Sequence, residues 1–276
     1  MAVAAAAVAM GTAVVFTGFA SAAEPPPPTG EQVVTETIEV TGVFDGANKR
    51  FIGGGDLGDG GQTEGQGALF DLADGATLKN VILGSPAADG VHCAGSCTLL
   101  DVHWEDVGED AATFRGENAT VVVDGGSATA ADDKVFQDNR GAGGSVTIRN
   151  FEVADFGKLY RSCGNCSIQA ARTTTMENIT ATAPGGTLAG INVNLGDKLT
   201  INGVTLVGED ISLCDLFEGN DTGDEPTKIG EGPDGQSCVV TQEGGPGAGG
   251  PGAGGPGAGG PGLGGRGAGA RGAAGR

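Results

Sequence analysis

The segment ATLKNVIL, Ala76–Leu83, decides the fold, because the chain keeps returning to it. CTLLDVHW follows at Cys97–Trp104, ATVVVD at Ala119–Asp124, SVTIRNFEV at Ser145–Val153, TTMENITA at Thr174–Ala181 and KLTINGVT at Lys198–Thr205. Each is a run of apolar residues alternating with polar ones and interrupted by an Asn or Asp. The interruptions fall at 80, 101, 124, 150, 178 and 202, with gaps of 21, 23, 26, 28 and 24 residues. No helical period runs through these segments. Short strands repeating at this spacing, with Gly-rich turns between them, predict an all-β right-handed parallel β-helix. Asn at a bend tolerates the left-handed backbone and can bond to a neighbouring coil. A β-sandwich is the competing fold, and sandwiches seldom repeat one local motif coil after coil.

Composition agrees. The chain has 276 residues with 55 Gly and only 4% aromatics, which suits many tight turns and disfavours a helical bundle. The formal net charge of -20 opposes indiscriminate nucleic-acid binding, so no nucleic-acid partner is expected. A polyanionic substrate would need a local basic patch or a bridging metal.

The repeat predicts which side chains meet. Coils stack about 4.8 Å apart, so residues at equal offsets from the interruptions line up. Asp89 lies nine residues after Asn80, Asp110 nine after Asp101, Lys134 ten after Asp124 and Lys158 eight after Asn150. Glu64 precedes Asp89 by 25 residues, about one coil. Three acidic rungs, Glu64, Asp89 and Asp110, should therefore continue into two basic ones, Lys134 and Lys158. Asp106 and Glu109 lie beside Asp110 in WEDVGED, residues 104–110. Carboxylates packed together repel, so Asp89, Asp106, Glu109 and Asp110 are either a solvated face or the oxygen ligands of a hard cation, most simply Ca²⁺. The basic rungs favour a built site. His92 and His103 fall off this ladder and are expected to brace turn or core. Trp104 is expected in the core.

The ends are different in kind. Residues 1–23 are a small-apolar run closing on Ala20-Ser21-Ala22, which fits a signal peptide without its usual positive start. A membrane anchor fits poorly, because Gly11, Gly18 and several Ala and Thr interrupt the run. A secreted, extracellular protein with no membrane partner follows. Residues 24–32 hold four consecutive prolines and read as a linker. VVTETIEV, Val33–Val40, reads as one strand that starts the domain, which extends over residues 33–240. Residues 241–276 are rich in Gly, Pro and Ala and are expected to form a disordered tail. Glycine is not at every third position there, which excludes collagen.

The six cysteines are 93, 97, 163, 166, 214 and 238. An even count in a secreted chain reads as disulfides. CAGSC and CGNC would close two short loops and Cys214 with Cys238 a longer one. A zinc site built from the two short motifs is the alternative.

Six motifs closely resemble, in order, those of the polysaccharide lyase family 3 pectate lyases. They are LGDGGQTEGQ (57–66), DGATLKNVILGSPAADGVHCAGSC (74–97), WEDVGEDAATF (104–114), ADDKVFQDN (131–139), FGKLYRSCGNC (156–166) and ATAPGGTLAGINVNLGD (181–197). The resemblance covers about residues 33–207. It implies a small β-helix that cleaves polygalacturonate by Ca²⁺-dependent β-elimination. By the same resemblance Asp89, Asp106, Glu109 and Asp110 are cation ligands and Lys134 is the base. Lys158 and Arg161 form the basic pair of the FGKLYR motif. Glu64, the Glu of a QSEGQ-like motif, completes the catalytic set. Arg172 aligns with a substrate-binding Arg, but its Lys and aromatic neighbours are replaced by Ala170 and Ala171. Asp138 stands where a His is common. The chain is expected to act as a monomer on pectate. The other readings are a polygalacturonate hydrolase with paired carboxylates and a non-catalytic pectin-binding module.

Overall fold

The computed structural model describes residues 24–63 and 65–242. The expected leader and most of the expected tail lie outside these residues, as does Glu64. Among the described residues no helix is long and apolar enough to cross a membrane.

The chain is a parallel β-helix, with consecutive coils paired strand over strand. In chain order the first strands are β1 (Glu31–Val34), β2 (Ile38–Val40), β3 (Val43–Gly53), β4 (Phe70–Leu72), β5 (Ala76–Leu83) and β6 (Val91–Cys93). Next come β7 (Cys97–Trp104), β8 (Asp110–Phe114), β9 (Thr120–Asp138), β10 (Ser145–Arg149), β11 (Glu152–Ser162) and β12 (Thr173–Asn192). The last are β13 (Lys198–Val207), β14 (Ser212–Glu218), β15 (Thr227–Gly232) and β16 (Cys238–Gln242). One ladder runs β1-β3-β5-β7-β9-β10-β12-β13-β16. A second runs β2-β4-β6-β8-β9, and β11 and β14 carry that face onward through β12. Among the described residues only β14 and β15 pair antiparallel, as a hairpin at the far end.

The corner of each coil is a residue with positive φ. Asn80, Asp101, Asn150 and Asn178 have φ of 52°, 50°, 53° and 54°. Two interruptions read from the sequence are off by one. Leu100 pairs with Asp124 and Val102 with Gly126, which puts Asp101 opposite Gly125 rather than Asp124. Glu177 pairs with Asn202 and Ile179 with Val204, which puts Asn178 opposite Gly203. Gly125 and Gly203 take the corner with φ of 74° and 77°. At Gly125 a Cβ would collide with the Asp101 carboxylate, so the corner passes to glycine there. The side chains still ladder. Asn150 Nδ2 donates to Asp124 Oδ1 at 2.7 Å, Asn178 Nδ2 to Asn150 Oδ1 at 2.9 Å, and Asn80 Nδ2 to Asp45 Oδ1 at 2.9 Å.

The alternating residues fill an apolar interior. Phe44, Phe51 and Phe70 meet edge to face at one end. Trp104 is buried against Phe136 and Phe151, as expected of a core residue, and Phe114 stacks on Phe136. VVTETIEV is not one strand. The chain bends at Thr35 and Glu36, and Thr37 Oγ1 donates to Ala68 O at 2.8 Å. The alternation thus turns a corner, with β1 pairing β3 and β2 pairing β4. Strand structure also begins at Glu31, inside the segment read as linker. All six cysteines are in disulfides, Cys93–Cys97, Cys163–Cys166 and Cys214–Cys238, which leaves no thiolates for zinc.

Asn150→Ala should destabilise the protein by about 1–3 kcal/mol, because Ala resists positive φ and two ladder bonds go. Asn150→Gly should cost clearly less, since Gly accepts the corner. Urea-unfolding midpoints check both; equal losses would show that the side-chain ladder, not the backbone, carries the effect.

Candidate functional site

The second ladder brings the charged rungs together. Asp110 of β8 pairs in register with Lys134 of β9, and Lys134 pairs with Lys158 of β11. With the corner moved to Gly125, Lys134 lies nine residues beyond it, as Asp89 and Asp110 lie nine beyond theirs. These side chains border one cavity of about 570 Å³ on the flank of the helix.

One wall of the cavity is acidic. Oxygens of Asp89, Glu109 and Asp110 all lie within 4.8 Å of one another, and all three residues are buried. Asp106 is not in this group; its side chain is exposed at the bend before β8. Asp89 Oδ2 bonds His92 Nε2 at 2.6 Å, and Arg115 Nη1 lies 3.2 Å from His92 Nδ1. With Nε2 protonated the imidazole donates to Asp89 and accepts from Arg115. His92 therefore fixes one carboxylate of the wall, a role its place off the charge ladder concealed.

Lys134 Nζ sits 3.4 Å from Asp110 Oδ1, 3.5 Å from Glu109 Oε1 and 2.7 Å from Asp133 Oδ2. Asp133 also accepts from Lys158 Nζ at 2.9 Å, so it bridges the two ammonium groups. Burial works against the Lys134 ammonium, yet Asp110, Asp133 and Glu109 hold its pKa above the ordinary lysine value. Burial pushes Asp110 up to about 8; Glu109 and Asp89 add to the rise, and Lys134 opposes it. One ammonium does not offset burial and two like charges.

The acidic wall fits a hard cation. Asp89 Oδ1 is buried with no hydrogen-bond partner among the described residues. Asp110 Oδ1 is likewise buried without a hydrogen bond, and Lys134 faces it only as a long ion pair. Buried carboxylate oxygens left this way are costly unless a charge completes them. An all-oxygen donor set of this kind suits Ca²⁺.

The other end of the cavity is basic. Arg161 of β11 is buried, and its Nη1 donates to Ser162 O at 2.6 Å, Asn192 Oδ1 at 3.1 Å and Gly190 O at 3.3 Å. Burial brings its pKa down to about 10, with Asp197, Tyr160, Glu225 and Asp133 opposing. Phe217, Glu225 and Pro226, from the β14–β15 hairpin, complete this end. No repeat signal pointed to them, because the hairpin lies beyond the last coil motif.

Arg172 does not line the cavity. It is buried behind it, with Nε donating to Arg140 O at 2.9 Å and Nη1 near Cys163 O, Gln169 Oε1 and Ser162 Oγ. In this structure its guanidinium is held by backbone carbonyls and by the Gln169 and Ser162 side chains. Asp138, which stands where a His is common in the family it resembles, is also buried. It accepts from Arg140 at 2.9 Å through both oxygens and from Tyr160 Oη at 2.7 Å.

Comparison with known proteins places this geometry. A family model described as pectate lyase matches residues 22–224. Pectate lyase H of Emericella nidulans is 44% identical over 223 residues, 79% of this chain and 84% of that protein. "Probable pectate lyase D" of Neosartorya fischeri is 46% identical over 193 residues, 69% of this chain and 78% of its own length. Among solved structures, the catalytic domain of pectate lyase PelI from Erwinia chrysanthemi superposes with a TM-score of 0.63 at 30% identity, covering 77% of this chain and 97% of that one. PelI in complex with tetragalacturonic acid gives 0.62 at 30% identity, covering 75% of this chain and 69% of that one.

In chelator, this site should make stability fall with pH. The folded-state pKa of Asp110, about 8, lies above its unfolded value of 3.8, so folding takes up a proton between them. That proton uptake favours the folded state at low pH and stops doing so as pH rises through the interval. Wild type should lose stability relative to Asp110→Asn between those values, by up to a few kcal/mol, and Ca²⁺ should flatten the curve for wild type alone. Thermal melts at stepped pH measure this; parallel curves for the two proteins would contradict it.

Proposed function

The chain belongs to the pectate lyase family, and from that premise we propose that it cleaves (1,4)-α-D-galacturonan by Ca²⁺-dependent β-elimination, leaving 4,5-unsaturated oligogalacturonides, outside the cell that makes it. Membership in a lyase family sets aside the hydrolase and the non-catalytic binding module. The observation that carries the proposal is one cavity whose lining holds three buried carboxylates, Lys134 in ion-pair contact with two of them, and Lys158 and Arg161. A polyuronide is a row of carboxylates, and this arrangement meets it with a cation site and fixed positive side chains. Tetragalacturonic acid is the ligand named for the PelI complex, which supports the same substrate class here.

The carboxylates of Asp89, Glu109 and Asp110 would hold the ion. When bound, Ca²⁺ supplies charge neutralisation at a uronate carboxylate, which makes the adjacent C5 proton more acidic. Lys134 Nζ takes the C5 proton. The C5 electron pair forms the C4–C5 double bond as the C4–O4 bond breaks; O4 stays on C1 of the preceding sugar and, once protonated, is the hydroxyl of a new reducing end on the non-reducing-side fragment. Burial favours the neutral amine of Lys134, and the three carboxylates around it favour the ammonium. Lys134 therefore becomes a usable base to the extent that the charge of those carboxylates is compensated, and the rate rises with pH. Lys158 and Arg161 hold substrate carboxylates, Arg161 through its planar fork. Glu64 belongs to the same set on the strength of its motif. The catalytic unit is residues 33–240 acting as a monomer, preceded by a cleaved leader (1–23) and a spacer (24–32), and followed by a tail (241–276).

Ultraviolet absorbance of the unsaturated product on polygalacturonate, with and without chelator, tests the proposal; no increase in Ca²⁺ would overturn it. Lys134→Ala should lower kcat by about 10²-fold or more while Ca²⁺ affinity changes little. If Lys134→Ala keeps near-normal kcat and Arg161→Ala loses it, the base is Arg161, whose lowered pKa would then be its activation.

A further inference from the structure

The guanidinium of Arg161 is held on three sides. Nη1 is committed to Ser162 O, Gly190 O and Asn192 Oδ1. One face is covered by the Phe217 ring, with Arg161 Cζ 4.1 Å from the ring centroid. The stem passes over Gly190, where a Cβ would come within 2.8 Å of Arg161 Cδ and 3.1 Å of the Phe217 ring. What remains is the Nε–Nη2 side, which has no hydrogen-bond acceptor among the described residues; Nη2 lies close to Gly164, and Arg161 and Gly164 both line the cavity.

Phe217 is itself fixed from several directions. It is buried and pairs in register with Asn192, the residue that accepts from Arg161. Two residues on, Gly219 N donates to Asn194 Oδ1 and Asn194 Nδ2 donates back to Gly219 O, both at 2.8 Å. Asn220 N then donates to Gly164 O at 2.7 Å. Three residues before Phe217, the Cys214–Cys238 disulfide ties β14 to β16. The hairpin is thus clamped to the coil on both sides of the ring.

We propose that Phe217, seated by Asn192 and the β14–β15 hairpin, is a positioning residue that aims the open edge of Arg161 at a galacturonate carboxylate. This rests on the lyase reading above. Phe217 touches no reacting atom. It acts by excluding water from one face of the guanidinium and by removing the rotamers in which the fork points elsewhere. Lysine in place of arginine could not use this seat, because the ring matches a planar cation.

Steady-state kinetics on polygalacturonate test the role. Phe217→Ala should lower kcat/KM about tenfold, mostly through KM, and Phe217→Trp should stay within about threefold of wild type. Phe217→Leu keeps an apolar filler without the ring face, and should resemble Phe217→Ala even if that variant folds poorly. The discriminating measurement is calorimetric affinity for tetragalacturonic acid in a double-mutant cycle. Phe217→Leu should weaken wild-type binding about tenfold but Arg161→Ala binding less than about twofold. Equal losses in both backgrounds would overturn the proposal, because Phe217 would then be acting without Arg161. The arginine Nε–Hε NMR resonance of Arg161 gives a readout free of turnover: it should carry a ring-current shift that Phe217→Leu abolishes, and its absence in wild type would overturn the contact. A wild-type enzyme with that shift but no turnover and no tetragalacturonic acid binding would overturn the lyase reading and the ligand assigned here together. Turnover unaffected by Phe217→Leu overturns this proposal alone.

Discussion

The left-handed corner at one place in successive coils is the constraint on which the rest of the structure depends. A parallel β-helix must turn sharply between its faces, and an L-residue resists the required φ at a cost of about 1–2 kcal/mol. Asn80, Asp101, Asn150 and Asn178 accept it, helped by amide bonds along the stack where Asn80, Asn150 and Asn178 reach their neighbours. Glycine takes over at Gly125 and Gly203. Because side chains alternate with period two, a slip of one residue would turn every strand inside out. The stacked corners prevent that slip. They therefore also fix the phase of Asp110, Lys134 and Lys158, which are read off the same coils.

Desolvation shapes both ends of the cavity, with opposite results for opposite charges. Burial raises Asp110 and lowers Arg161. Lys134 is half-buried and also pays for desolvation, but neighbouring carboxylates reverse the direction. The acidic wall carries oxygens with no hydrogen-bond partner among the described residues, and a carboxylate cluster of this kind could hold a metal ion. The cavity is thus built from groups whose charge states depend on one another, with Asp133 linking the two ammonium groups.

Behind this wall lies a second polar layer with a different purpose. Asp138, Arg140 and Tyr160 bond one another, and Arg172 binds the backbone around Ser162 and Cys163 next to Arg161. Such a network holds a strand end in place when most of its members are paired. Arg172 Nη2 is its one buried nitrogen without a recorded partner among the described residues. Arg161 and Arg172 are thus both buried guanidiniums near one loop, yet one opens to the cavity and the other braces it.

The sequence by itself determined the coil repeat, the all-β solenoid, the core placement of Trp104 and the order of acidic then basic rungs. These rest on local alternation and spacing, which a chain displays without being folded. Which cysteines pair was not deducible from the sequence; the folded chain closes CAGSC and CGNC each on itself. Several things needed the folded chain. Asp124 and Asn202 look like corner residues, but register moves the corner to the glycine that follows each of them. Asp106 sits one residue pair from the cluster in sequence and outside it in space, because the bend before β8 turns it to solvent. Arg172 lies behind the cavity, bonded to the carbonyls of Arg140 and Cys163 and to the Gln169 and Ser162 side chains. Phe217 belongs to no repeat, and it meets Arg161 from 56 residues away only because β14 stacks on β12. Spacing predicts neighbours along a ladder; which way a side chain turns, and how much water reaches it, is set by the coils packed against it.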